Sequence, residues 1–137
     1  MPDPVTLLHV PALSDLAEYA YAATVEPPAR LVFTAGACPL DAEGRTVAPG
    51  DHAGQARQVM ANLETALGAA GARLTDVVKT TVYVASSEQA DLVKAWEVVR
   101  DSFGDHEPPS TLLGVAVLGY TDQLVEVEAV AAVRMEA

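Results

Sequence analysis

The sequence predicts an α+β fold, a mixed sheet backed by two helices, on three observations. Two stretches repeat apolar residues at helical spacing. Several shorter ones are rich in β-branched residues and bounded by proline or glycine. Their order is ββαβαββ, so strands outnumber helices. The 137 residues (1–137) make a single domain with enough chain for a core, and no repeat, low-complexity tract or linker divides it.

Residues 1–16, with Val5 to Val10 followed by Pro11, form either a short edge strand or an N-terminal arm. Tyr19 to Val25 and Leu31 to Gly36 are β-rich and separated by Glu26-Pro27-Pro28-Ala29-Arg30, which predicts a hairpin. The loop from Ala37 to Gly44 carries turn chemistry at Asp41 to Gly44. Directly after a strand, such a loop can present backbone N–H groups to a ligand. Asp51 is the expected N-cap of a long amphipathic helix on which Ala56, Val59, Met60, Leu63, Ala66, Leu67 and Ala70 recur until Gly71 ends it. Val77 to Val84 is a strand, favoured by Thr80 and Thr81. Ser86 with Gln89 resembles a capping box for a second helix marked by Leu92, Ala95, Trp96, Val99 and Phe103 and stopped by Gly104. Pro108 and Pro109 fix φ and remove two donors, a rigid entry into a strand over 111–118. Gly119 to Asp122 then turns into a last strand, Leu124 to Val133.

The strand at 111–118 is apolar on both faces: Thr111, Leu113, Val115 and Val117 point one way, and Leu112, Gly114, Ala116 and Leu118 the other. A strand wet on one side should alternate. Two helices can cover one face of the sheet, and nothing is left in the chain for the other. A monomer would then expose an apolar patch above the few hundred Å² usual on soluble monomers, so a homo-oligomer is expected.

Composition narrows the partners. Eight Lys and Arg against 19 Asp and Glu give a formal charge of −11. That balance repels phosphate backbones and anionic lipid, and no basic run is present from which to build a nucleic-acid groove. The single cysteine, Cys38, allows no internal disulfide and fits a reducing compartment. Met1 to Pro4 lacks a basic leader region and no apolar run approaches the ~20 residues of a membrane span, so the expectation is a soluble cytoplasmic protein without membrane or nucleic-acid partners.

Conventional chemistry is sparse. His9, His52 and His106 have no metal-ligand spacing and lie near predicted element ends, where solvated or capping roles are usual; no metal is expected. Cys38 reads as a small buried hydrophobe rather than a nucleophile, because no histidine partner is evident. GxSxG, P-loop and GxGxxG motifs are absent. What remains is Glu126 and Glu128, which by alternation share a strand face with Leu124, Val130 and Ala132. By pattern alone the pair also fits a solvated patch, the commoner case. A carboxylate among apolar neighbours on a sheet is alternatively suited to handling a proton on water.

The ββαβαββ order occurs together with Thr34-Ala35-Gly36-Ala37-Cys38-Pro39-Leu40-Asp41, Gln55-Ala56-Arg57-Gln58 with Asn62, and Ala70-Gly71. Further on come Asp76 to Tyr83, Pro108-Pro109-Ser110-Thr111 and Val125-Glu126-Val127-Glu128. The ordered set, over roughly residues 17–134, resembles the Rid family of reactive-intermediate deaminases, also labelled YjgF-like or L-PSP endoribonuclease proteins. The resemblance implies a chorismate-mutase-like fold assembled as a homotrimer, three sheets closing around a shared centre with clefts between subunits. It also implies cofactor-free hydrolysis of imines or enamines to a keto acid and ammonia.

By position, Glu126 matches the family's water-orienting glutamate and Leu112 supplies the matching carbonyl. Gly36 and Ala37 match the loop that lends backbone donors, Tyr21, with Tyr19 as the nearby alternative, matches the tyrosine that closes the cleft, and Trp96 stands for a family tyrosine. Where the deaminases carry arginine after the proline corner, this chain has Ser110, and a hydroxyl cannot replace a guanidinium fork. Losing a charge-assisted hydrogen bond is worth about 1.5 to 3 kcal/mol, so an amino-acid-derived imine should bind at least ~10-fold worse. The usual asparagine of the second helix is also missing, with Val93 or Lys94 in its region, and Leu112 replaces a cysteine. The cleft should therefore be more neutral and apolar than a deaminase cleft.

The expected function is a Rid-family hydrolase of imines, enamines or related electrophiles whose substrate lacks the α-carboxylate or anchors it elsewhere. The alternatives are a different reaction on a small metabolite, or a non-catalytic metabolite-binding trimer. The charge of −11 and an aromatic content of 5% oppose ribonuclease activity.

Overall fold

The computed structural model describes residues 3–135, so Met1 and Pro2 of the predicted arm, and Glu136 and Ala137, lie outside the described residues. The strands are β1 (Val5–Leu8), β2 (Ala22–Val25), β3 (Ala29–Phe33), β4 (Val77–Ala85), β5 (Ser110–Val115) and β6 (Val125–Arg134). The helices are α1 (His52–Ala69) and α2 (Gln89–Phe103), with a 3-10 turn at Leu74–Asp76. The four-stranded sheet has the order β3-β6-β4-β5. Only its β4–β5 pair is parallel, as a strand–helix–strand crossover through α2 requires.

Both helices lie on one face. Ala56, Val59, Met60, Leu63 and Leu67 of α1 and Ala95, Val99 and Phe103 of α2 share a core with Val82, Val84, Val125, Val127, Ala129 and Ala131 of the sheet. Asp51 caps α1 as expected, accepting from Gly54 N at 2.9 Å. At the other end Gly71 takes φ 81°, a conformation that costs a side-chain-bearing residue energy.

The opposite face is left bare by the chain's own helices. Leu31 and Phe33 of β3 and Leu113 of β5 stand 49%, 72% and 43% exposed there. They accompany Thr81 and Tyr83 of β4 and Glu126, Glu128 and Val130 of β6, with Tyr83 Oη donating to Glu128 Oε1 at 2.6 Å. The two most exposed of these apolar side chains, Phe33 and Leu31, stand on β3, whereas the sequence singled out the strand at 111–118.

Three expectations are corrected. The predicted β2–β3 hairpin does not form: β2 pairs with β1, and β3 pairs with β6 at the far end of the chain. Sequence-adjacent strands pair more often than not, yet here Val5–Leu8 pairs with β2 and Val125–Arg134 with β3. The capping box at Ser86 is also absent, since Glu88 is the N-cap of α2 while Ser86 Oγ donates to Asp91 Oδ2 at 2.8 Å and accepts from Glu88 N at 2.9 Å. Finally, β5 ends at Val115 instead of running to 118, leaving Val117 78% exposed.

Candidate active site

Glu126 is set on the bare face by strand alternation: its neighbours Val125 and Val127 are fully buried beneath the helices, which forces the carboxylate to the other side. Two side chains hold Oε1, Gln123 Nε2 at 3.2 Å and Cys38 Sγ at 3.3 Å. Among the described residues no hydrogen bond reaches Oε2. That oxygen lies against Gly36, where a Cβ would come within 2.3 Å of it. A residue without a Cβ at position 36 is thus what lets the segment after β3 pass so close to the carboxylate.

The loop bearing Gly36 and Ala37 is fixed from two sides. Ala37 N donates to Val127 O at 2.7 Å and Val127 N to Ala37 O at 3.2 Å. Asn62 of α1 donates through Nδ2 to Cys38 O at 2.8 Å and Leu40 O at 2.9 Å. Gln55, fully buried, donates to Asp122 O at 2.9 Å and accepts from Leu124 N at 2.7 Å, which pins the turn leading into β6. Burial, followed by the hydrogen bond to Glu126, pushes the Cys38 thiol up to about 11. Cys38 is therefore a protonated donor at neutral pH and not a thiolate nucleophile.

Ser110, Leu112 and Trp96 assemble elsewhere. With Tyr19 and Thr111 they line a hollow of about 420 Å³. Ser110 Oγ accepts from Thr80 Oγ1 at 2.7 Å, and Leu112 packs against the helix-side core. Pro109 O accepts from Thr80 N, so by alternation the carbonyls of Ser110 and Leu112 point to the free edge of β5. Tyr19 meets Trp96 edge-on, ring centroids 6.1 Å apart. Tyr21 packs on Tyr19 at 6.0 Å, donates to Ser14 O at 2.6 Å, and lines a neighbouring hollow of about 470 Å³ with Tyr19, Lys79, Ser110 and Thr111.

The candidate residues thus form two half-sites. Glu126 pairs with Tyr83 on the bare face, whereas Ser110 pairs with Thr80, whose side chain is buried on the helix face. One copy of the chain does not bring the carboxylate and the Ser110 hollow together. Gln123, Cys38 and Tyr19 complete the two halves. Cys38 and Gln123 were not legible as partners of Glu126; the 88-residue separation of Cys38 from it leaves no local signal. His106, whose Nε2 lies 2.7 Å from Val77 O, lines a narrow slot with Ser110 and Trp96, whereas His52 Nδ1 lies 3.8 Å from Asp91, outside both halves.

A family model described as Endoribonuclease L-PSP matches residues 12–133. A RutC family protein of Pyrococcus horikoshii is 38% identical over 100 residues, 73% of this chain and 77% of that protein. The 2-iminobutanoate/2-iminopropanoate deaminase of Salmonella typhimurium is 35% identical over 104 residues, 74% of this chain and 78% of the enzyme. In structure, the Rid-family protein YyfB of Yersinia pestis superposes with a TM-score of 0.88 at 26% identity, covering 95% of this chain and 99% of that one. The chain belongs to the Rid family, the YjgF-like or L-PSP proteins. Among the described residues no helix is long and apolar enough to cross a membrane.

Proposed function

We propose that this protein is a cytoplasmic, cofactor-free hydrolase of small imines or enamines, working at clefts between the copies of a homotrimer. The observation that carries the reading is Glu126: one carboxylate oxygen is anchored by Gln123 and Cys38, and the other lies beside Gly36 without a hydrogen-bond partner among the described residues. A water bound to Oε2, and to the Leu112 carbonyl at the β5 edge of a neighbouring copy, is positioned to attack the imine carbon. Glu126 takes a proton from that water as the C–O bond forms and the C=N π bond breaks, and hands the same proton to the nitrogen. Collapse of the carbinolamine breaks the C–N bond, releasing ammonia and leaving the carbonyl product. The Salmonella relative's name, an iminobutanoate and iminopropanoate deaminase, supports the same reaction class.

The bare face supports the homotrimer, because Leu31, Phe33 and Leu113 need cover and the two half-sites need each other. Ser110 in place of an arginine sets the cleft apart from that of a carboxylate-clamping deaminase. The test is a panel of imines generated in situ by amine and amino-acid oxidases, with release of ammonia followed for the wild type and Glu126→Ala. Acceleration lost in Glu126→Ala is the expected result. No acceleration across the panel overturns the hydrolase; metabolite binding kept equally by both proteins would then identify a non-catalytic binding trimer.

A further inference from the structure

Position 110 carries no guanidinium, yet one stands close by. Arg100, a turn beyond Trp96 on α2, lines the same narrow slot as Ser110, Thr80 and Trp96. Its Nη1 donates to Glu18 Oε2, and the indole Nε1 of Trp96 donates to Glu18 Oε1 at 3.2 Å. Each oxygen of that one carboxylate therefore has its own donor, and the bond from the guanidinium is charge-assisted. The carboxylate now in place belongs to the segment between β1 and β2. It is also the kind of tenant that can leave: the Glu18 side chain is 47% exposed and Arg100 33%, and exposed pairs of this sort are weakly held. Glu18 precedes a fixed point, since Ala20 N donates to Glu107 O at 2.8 Å and Tyr21 N to Leu8 O at 2.9 Å. A swing of the side chain need not disturb that anchor.

We infer that Trp96 and Arg100 form a carboxylate-binding site at the mouth of the Ser110 hollow, that Glu18 occupies it in the free protein, and that a small 2-oxo or 2-imino acid takes it by displacing Glu18. The imino-acid identity rests on the imine-hydrolase reading; the carboxylate site does not. The site supplies the anchor that Ser110 cannot, and it places the ligand's carboxylate against α2 with the rest of the molecule in the hollow lined by Tyr19, Ser110 and Leu112. Ligands without a carboxylate leave Glu18 where it is. The bond to Arg100, followed by that to Trp96, holds the Glu18 carboxyl below the usual carboxylate range, so the tenant is charged throughout the physiological range.

The test uses the full chain and pyruvate as probe, with butanone as its uncharged counterpart, read by Trp96 fluorescence and by calorimetry. Glu18→Gln removes the competing carboxylate and should tighten pyruvate binding about 5-fold, because the competent state is no longer a fraction of the population. Butanone binding should stay the same. Glu107→Gln removes one negative charge from the rim of the same slot without touching the grip on Glu18. It should change pyruvate affinity by less than about 2-fold, as expected of an exposed charge in salt. Arg100→Gln and, independently, Trp96→Phe should weaken pyruvate in the Glu18→Gln background. Equal tightening in Glu18→Gln and Glu107→Gln would show a general field effect and overturn the site, as would undiminished pyruvate binding in both the Arg100→Gln and Trp96→Phe backgrounds. Since these are binding measurements, they hold or fail whether or not any imine is hydrolysed.

Discussion

Replacing Gly36 with alanine isolates the geometry on which the proposed chemistry depends. The added Cβ would lie 2.3 Å from Glu126 Oε2, 2.5 Å from Cδ and 2.8 Å from Cγ. Ordinary contacts begin near 3.5 Å, so the carboxylate must retreat by about 1 Å. Gly36 is not among the glycines with positive φ, so the backbone accepts alanine and the whole conflict falls on Glu126. A base displaced that far is expected to lose about 100-fold in kcat/KM, roughly 2.7 kcal/mol of transition-state stabilisation. The fold should survive, because a partial gain of about 0.4 to 1 kcal/mol from stiffening the unfolded chain offsets the weakened bonds to Cys38 and Gln123. The assay pairs imine turnover with a thermal melt and a titration of the only thiol. Cys38 should titrate below its value of about 11, though not at the level of a free thiol, since burial rather than Glu126 is the larger cause of the shift. A Gly36→Ala protein with wild-type turnover and an unmoved Cys38 titration would refute the argument.

Three other outcomes follow from the same geometry. Ser110→Arg should raise turnover of 2-iminopropanoate above that of the wild type by placing a fork where the hydroxyl now stands, and no gain in a folded protein would mean that the remaining half-site has diverged as well. Sedimentation should give three times the 14.3 kDa chain mass at micromolar concentration, and Phe33→Asp, on a side chain already 72% exposed in the protomer, should give single chains that remain folded; a wild-type mass of one chain would refute the assembly. With its thiol near 11, native Cys38 should react with iodoacetamide only about a thousandth as fast at pH 8 as above its midpoint, gaining tenfold per pH unit, and a plateau below pH 9 would contradict the buried, carboxylate-bonded placement.

Periodicity made most of the scaffold readable. The apolar spacing from Ala56 to Leu67 and from Leu92 to Phe103 located both helices, and alternation around Val125, Val127 and Ala129 put Glu126 on the side away from them. Pairing was not readable where it ran against proximity. Tyr19 to Val25 and Leu31 to Gly36 flank a short proline-bearing connection, but β3 pairs with a strand a hundred residues on, and no local pattern encodes that choice. The same limit governs the site. Glu126 is visible as a carboxylate in an apolar strand, whereas its grip by Cys38 and Gln123, its contact with Gly36 and the clasp of Trp96 and Arg100 on Glu18 arise when distant segments close on one another. Ser110 carries no guanidinium, and the one that Arg100 brings to its slot comes from a different element.

Because Glu126 and the Ser110 hollow leave the sheet on opposite sides, the damage done to one half is separable from damage done to the other. Two chains, one stripped of its glutamate and one with its hollow blocked by a bulky residue, would each be inert alone. Unfolded and refolded as an equal mixture, they would rebuild about one sound cleft in four within the proposed ring of three, each cleft drawing its undamaged halves from different parents. Such mutual rescue is open only to a protein whose working unit is the seam between neighbours.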